Sequence, residues 1–307
     1  MSRTYKTIGI ILKALPMGEA DRLVTVLTPE SGLVRAIAPG ARKHKSRLGG
    51  RTGLFVINEL LLSKGKSLDK IIQAETVRSF PALSADLGRL TASQYLSELV
   101  LCEAVSEVPQ AELYGFIVAL FERLEQLQSA QVLAELAQAV VHLLRLGGVA
   151  PEVYQCCLTG AIVQPDLENP NWRIGFSAVG GGVVKLEAMG QLEAGNALGG
   201  ASLVVGESGF RPRRKIGLNT QISASELIVL QELCRSELVI RSNGSLTSDI
   251  ETTGTDTWET LRADPAAFDL WRRIERILRQ YAQYHLDRTI RSAALIDTCF
   301  AAPVYAS

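Results

Sequence analysis

The residues best equipped for chemistry lie in one run, Ala38-Pro-Gly-Ala-Arg-Lys-His-Lys-Ser-Arg47. Arg42, Lys43, His44, Lys45 and Arg47 place five cationic or cation-capable side chains within six residues. The run is flanked by glycine and sits between two strand-like segments, which reads as a mobile, solvated loop. Guanidinium and ammonium groups at that density match phosphate oxygens, so the loop points to a nucleic-acid backbone before any enzyme substrate.

The charge around the loop is uneven. Residues 1–80 hold 14 of the 32 basic side chains but only 6 of the 32 acidic ones, so the remainder carries 18 basic and 26 acidic groups. A formal net charge of zero is therefore the sum of a basic head and an acidic body. A zero total ordinarily argues against polyanion binding; the segregation reverses that inference for the head.

Signatures of bond-making chemistry fail on inspection. Gly206-Glu-Ser-Gly209 resembles a nucleophile elbow, but Phe210 stands where the last glycine is needed. Gly180-Gly-Gly182 has neither dinucleotide-binding spacing nor a following helix. There is no P-loop lysine, and the carboxylates are scattered along helices rather than clustered as metal ligands. The reading is of a binding protein, not an enzyme, with no cofactor.

Several elements must position the basic loop. Ile8–Leu12, Arg22–Leu27, Leu33–Ala38, Leu54–Leu62 and Leu68–Val77 are short apolar or β-branched runs, with turns at Pro16 to Gly18, Thr28 to Gly32 and Gly65. Five strands in about 80 residues predict a small OB-type barrel. From Leu83 the apolar period lengthens to that of a helix, predicting helices over 84–107, 110–128 and 130–146, the last closed by Gly147-Gly148. Residues 151–220 are Gly-rich, with strand-like runs at 172–177, 181–186 and 202–206. A helix is expected over 224–236, with Ser223 and Glu226 at capping-box spacing. Another begins at Asp264 and Pro265, aligning Trp271, Ile274, Leu278, Tyr281 and His285 on one face. That face reads as core, and His285 as a packing residue. The expected domains are 1–80, a helical part over 81–150 and 220–300, and an insertion over 151–219.

At 307 residues, 47% hydrophobic and 21% charged, the chain describes an ordinary folded protein. No apolar run is long enough to span a membrane. No secretory signal is read at the N-terminus, and an odd five cysteines, three of them isolated, fit a reducing cytoplasm.

Three segments carry a family resemblance: Gly9-Ile-Ile-Leu-Lys13, Pro16-Met-Gly-Glu-Ala-Asp-Arg-Leu-Val-Thr-Val-Leu-Thr28 and Gly32-Leu-Val-Arg-Ala-Ile-Ala-Pro-Gly-Ala-Arg-Lys43 with Lys45-Ser-Arg47. With Glu75, Asp86-x-x-Arg89, Tyr95-Leu-Ser-Glu-Leu99 and Arg279-x-x-x-x-Tyr284-His-Leu286, the chain closely resembles the RecO family of bacterial recombination mediators. The resemblance implies an α+β protein, with an N-terminal OB-fold β-barrel, an all-α domain and an inserted zinc-ribbon-like region. It also implies binding of single- and double-stranded DNA, strand annealing, association with RecR and the single-strand-binding protein, and help in loading the recombinase RecA.

The chain departs from the family at the zinc site. A Cys-x-x-Cys pair starting at Cys156 would need a sulfur at Thr159, and the second pair would need sulfurs at Lys185 and Ala188. Adjacent Cys156 and Cys157 cannot supply four tetrahedral ligands. The expectation is a metal-free hairpin packed through Trp172, Ile174 and Phe176, with the two cysteines as packing residues.

Arg35, Arg42, Lys43, Lys45, Arg47 and Arg51 are the candidate DNA contacts, followed by Lys13 and by Arg22, which could instead pair with Glu19 or Asp21. Six phosphate contacts would give a salt slope of about −4 to −5. The first 80 residues hold only Tyr5, Phe55 and Phe80 as aromatics, so base stacking adds little and phosphate contact dominates. Arg211, Arg213, Arg214 and Lys215 form a second basic patch that either extends the DNA path or solvates a loop. The rival reading is a stand-alone nucleic-acid-binding adaptor without annealing activity.

Overall fold

The computed structural model describes residues 4–197, 217–236, 238–240, 246–248, 261–262 and 264–300. The strand expected over 202–206 and the patch at Arg211, Arg213, Arg214 and Lys215 lie outside the described residues. By contacts the chain divides into two compact units, one of residues 1–132, 239–247 and 290–307, the other of residues 133–238 and 248–289.

In the first unit, β1 (Thr4–Met17), β2 (Asp21–Thr28), β3 (Gly32–Ala38), β4 (Val56–Ser63) and β5 (Asp69–Ser79) close into a barrel of order β1-β2-β3-β5-β4. All neighbours are antiparallel except β3 and β5, which meet in parallel at Ala36–Asp69 and Ile37–Lys70. Alternation decides which side chains enter the interior: Ile11, Val24, Val26, Val34, Ala36 and Leu62 point in and form one core cluster. Small Ala36 and Ala38 facing branched neighbours suit so narrow an interior. Tyr5 packs against the same cluster and donates its phenol to Asp69 Oδ2 at 2.5 Å, tying β1 to the start of β5.

β1 runs on through Pro16, where an end had been expected. Past Ile10 it pairs only with β2, and such an edge tolerates the missing proline N–H. A bulge between Ile11 and Lys13 resets its alternation. Gly32 opens β3 at φ +62°, and a Cβ there would fall 2.0 Å from the Val105 carbonyl oxygen. Only glycine permits that approach, which lets Leu33 N donate to Val105 O at 3.1 Å and docks this barrel end on the helices.

Those helices are α2 (Pro81–Ala85), α3 (Leu87–Glu103) and α4 (Ala111–Gln126), with α1 (Arg47–Arg51) in the barrel. Asp86 caps α3 by accepting from Arg89 N at 2.8 Å. Phe55, 1% exposed, meets the Phe121 ring of α4 edge-on at 5.0 Å, and Phe80 reaches the same ring at 5.9 Å. Two of the head's three aromatics are thus buried in the seam between barrel and helices.

The second unit holds most of α5 (Ser129–Leu146), the sheet β7-β6-β8 (β6 Arg173–Ser177, β7 Gly182–Val184, β8 Thr220–Ser223), α6 (Leu186–Ala197), α7 (Ala224–Arg235) and α8 (Phe268–His285). Gly148, at φ +71°, ends α5 as expected, with Val149 N reaching back to Leu144 O at 2.8 Å. Ser223 and Glu226 form both halves of a capping box on α7. At α8 the start differs: Asp264 caps a 3-10 turn, Pro265–Ala267, by accepting from Ala266 N, and the α-helix follows from Phe268. Trp271, Ile274, Leu278 and Tyr281 are buried on one face, and His285 contacts the Ala178 carbonyl oxygen at 3.0 Å.

Candidate nucleic-acid interface

The basic run is a chain of turns rather than an open string. Lys43 N donates to Gly40 O at 3.0 Å and Ser46 N to Lys43 O at 3.1 Å, with Gly40 and Lys45 both at positive φ. Ser46 then caps the single-turn helix α1 by accepting from Leu48 N at 3.2 Å. Local turn chemistry therefore fixes where the loop's cations project.

The loop is also pinned to the barrel. Asp21 Oδ1 accepts from Gly40 N at 2.8 Å, and Arg42 N donates to Ala20 O at 2.9 Å. Asp21 is thus spent on backbone, and Arg22 pairs with neither it nor Glu19. Instead Arg22 Nη1 donates to Gly49 O and Thr52 O at 2.9 and 3.0 Å, bracing α1. Arg42 Nη1 reaches Gly18 O at 2.8 Å, and Arg51 Nη1 reaches Ala74 O at 2.5 Å. A carbonyl positions a guanidinium without cancelling its charge: Arg42 and Arg51 each spend one of five donors this way, and Arg22 spends the two of its Nη1.

Two carboxylates in the first unit serve other cations: Lys64 pairs with Glu107 and Arg78 with Glu122. Among the described residues, no ion pair engages Lys13, Arg22, Arg35, Arg42, Lys43, Lys45, Arg47 or Arg51. Lys13, Arg35, Arg42, Lys43, Lys45 and Arg47 are exposed, while Arg22 and Arg51 are half-buried. Strand register brings two of them together: Lys13 pairs with Thr25, and Thr25 with Arg35, so both cations lie in one outward row. Lys70, exposed and opposite Ile37, joins this face through the parallel β3–β5 pairing. Nothing in its local sequence marks it, because a parallel register between distant segments leaves no short-range signal.

The zinc-ribbon expectation meets a different arrangement. Residues 152–163 and β6–β7 form paired hairpins around Cys156, with Glu152 bridging to Gly182 and Gln155 to Ile162. Cys156 Sγ accepts from Lys185 N at 3.3 Å, from the very position where a second-pair sulfur would be required. Burial opposes ionisation of this thiol, but hydrogen bonds from the Thr159 hydroxyl and the Lys185, Leu158 and Thr159 backbones outweigh it and hold the pKa below its ordinary value. Cys157 is pushed the other way, to about 11, by burial, then by Glu152 and Cys156. Among the described residues no three His, Cys, Asp or Glu side chains gather to hold a metal. One sulfur satisfied by N–H and O–H donors does not fit a tetrahedral zinc.

Residues 1–80 match the family model for the Recombination protein O N terminal, and residues 84–189 that for the Recombination protein O C terminal. A DNA repair protein RecO of a Nostoc species is 48% identical over 98% of both chains. Those of Gloeothece citriformis and Synechococcus elongatus are 46% and 41% identical over 97% of this chain.

The chain belongs to the RecO family.

RecO proteins are named for DNA repair, and both family models meet the described α+β architecture, the first on the barrel and the second on α3 to α5 and the β6–β7 region. Among the described residues no helix is long and apolar enough to cross a membrane.

Proposed function

We propose that this RecO-family chain is a non-enzymatic mediator of DNA repair and homologous recombination. It would bind single- and double-stranded DNA through the barrel, promote annealing of complementary strands, and act with RecR to help load RecA on DNA coated by single-strand-binding protein. The reading treats residues 1–80 as an OB-type DNA-binding domain, 81–150 and 220–300 as the helical part that docks proteins, and 151–219 as a ribbon-like insertion without metal. Its work is placed in the cytoplasm. The RecR, single-strand-binding-protein and RecA roles come from the family resemblance.

One observation supports the DNA site most strongly. Six exposed cations of the barrel and its basic loop carry no carboxylate partner, while Lys64 and Arg78 of the same unit do. Unpaired cations favour a polyanion because each phosphate they neutralise releases counterions. The barrel's aromatics are buried or internally bonded, so phosphate contact dominates and ignores base sequence, which suits annealing of arbitrary strands. Mixing complementary oligonucleotides coated with single-strand-binding protein tests the mediator role. Faster duplex formation at low salt is expected, and binding without acceleration would favour the stand-alone adaptor.

A further inference from the structure

The outer face of the barrel carries more than charge. Outward residues of β1, β2, β3 and β5 form transverse rows. The first is Lys13–Thr25–Arg35; the next is Leu15–Leu23–Ile37–Lys70, followed on β1 by Met17. Leu15 and Met17 are 44% and 38% exposed, and Leu23 and Ile37 are half-buried. Further down the same side, Ile10 and Leu27 are fully buried, where α3 and α4 pack on β1 and β2. The helices therefore stop short of the upper rows and leave an apolar strip open across β1, β2 and β3, about 10 Å at ordinary strand spacing.

Cations frame that strip. Lys13 and Arg35 stand in the row below it, Lys70 at its β5 end, and Arg42 to Arg47 follow β3 where it ends at Ala38. An apolar strip bounded by unpaired cations is complementary to a chain with apolar flat groups on one side and phosphates on the other. Resting on the DNA reading above, we propose that this strip is a single-strand ledge. Unpaired bases lie on Leu15, Met17, Leu23 and Ile37 while their phosphates lie on Lys13, Arg35 and Lys70, and the basic loop alone serves duplex. A duplex hides its base faces in its own stack, so it gains nothing from the ledge. Aliphatic side chains cover base faces without the strong stacking of an aromatic platform, which leaves the bases free to depart for a complementary strand.

Leu15→Ser with Met17→Ser removes exposed apolar surface and leaves the barrel core untouched. Affinity for a single-stranded oligothymidine should fall about five- to tenfold at fixed salt, while a duplex of equal length changes less than about twofold. No change for the single strand, or an equal loss for both, overturns the ledge. A second variant adds a gain: Leu15→Trp should tighten oligothymidine binding several-fold, with tryptophan fluorescence quenched by single strand and not by duplex. Absent quenching overturns the proposal, as does quenching by an acidic peptide with an apolar end but not by oligothymidine, which would assign the strip to a protein partner. The two readings fail separately. If the ledge variants are silent but loop neutralisation abolishes binding, only the ledge falls; if loop neutralisation is silent, the DNA site itself does.

Discussion

The Asp21 carboxylate accepts the Gly40 backbone N–H at 2.8 Å, so an acidic side chain at the start of β2 anchors the root of a cationic loop. The contact gives a physical role to a carboxylate that sits among phosphate-seeking cations. Anchoring lowers the ordering cost of binding, since the loop need not be immobilised when DNA arrives.

Replacing Asp21 separates anchoring from charge. Asp21→Asn keeps an acceptor and removes a negative charge, so DNA affinity should hold or rise slightly. Asp21→Ala removes both, and losing a hydrogen bond to a charged group, about 1.5–3 kcal/mol, should loosen the loop. Amide exchange at Gly40 should quicken in Asp21→Ala only, and DNA affinity should drop several-fold relative to Asp21→Asn. Equal affinities for the two variants would show that the anchor does not matter.

His142 on α5 makes the second unit acid-sensitive. Burial, then the Arg145 charge, lowers its pKa from 6.5 to about 4. Between those values the unfolded chain binds a proton that the folded chain refuses, so stability is full above pH 6.5 and declines as pH falls toward 4. From pH 6.5 to pH 5 the cost is about 1–2 kcal/mol, allowing for partial solvent exposure. Urea unfolding at both pH values should show that decrement shrinking in His142→Gln; an unchanged decrement would contradict the assignment.

Glu135 on α5 and Arg262, 0% and 3% exposed at their side chains, form a buried ion pair, and Arg262 also donates to Gln138 Oε1 at 3.1 Å. Glu135→Ala removes the carboxylate that Arg262 faces in the interior and should cost about 3–5 kcal/mol in urea unfolding. Glu135→Leu combined with Arg262→Met should recover most of that loss, because the pair's desolvation cost vanishes with it. A double variant as unstable as the single would mean that the pair itself carries the stability.

Local patterns made much of this fold legible. β2 and β3 fall where the β-branched runs on either side of the Thr28 to Gly32 turn placed them, α7 where its capping box did, and the Gly147-Gly148 stop ends α5. The misses have physical causes. Pro16 sits inside β1 because that stretch pairs on one side only, and α1 escaped notice because a single turn leaves no period to read. The basic loop was plain in the sequence, but its carbonyl anchors, the Lys13–Arg35 row and the place of Lys70 depend on pairings between distant strands. Likewise, Thr159 and Lys185 were visible as missing ligands, whereas their donation to Cys156 needed the folded hairpins.

The most direct test of the account is a salt titration of DNA affinity for the native chain and for a variant with Arg42, Lys43, Lys45 and Arg47 changed to glutamine. The log–log slope should become shallower by about 0.9 per lost phosphate contact on duplex and about 0.7 on single strands, up to about 3.6 and about 2.8 for all four, with affinity falling steeply at low salt. Parallel lines of equal affinity would contradict phosphate capture by the barrel's basic loop.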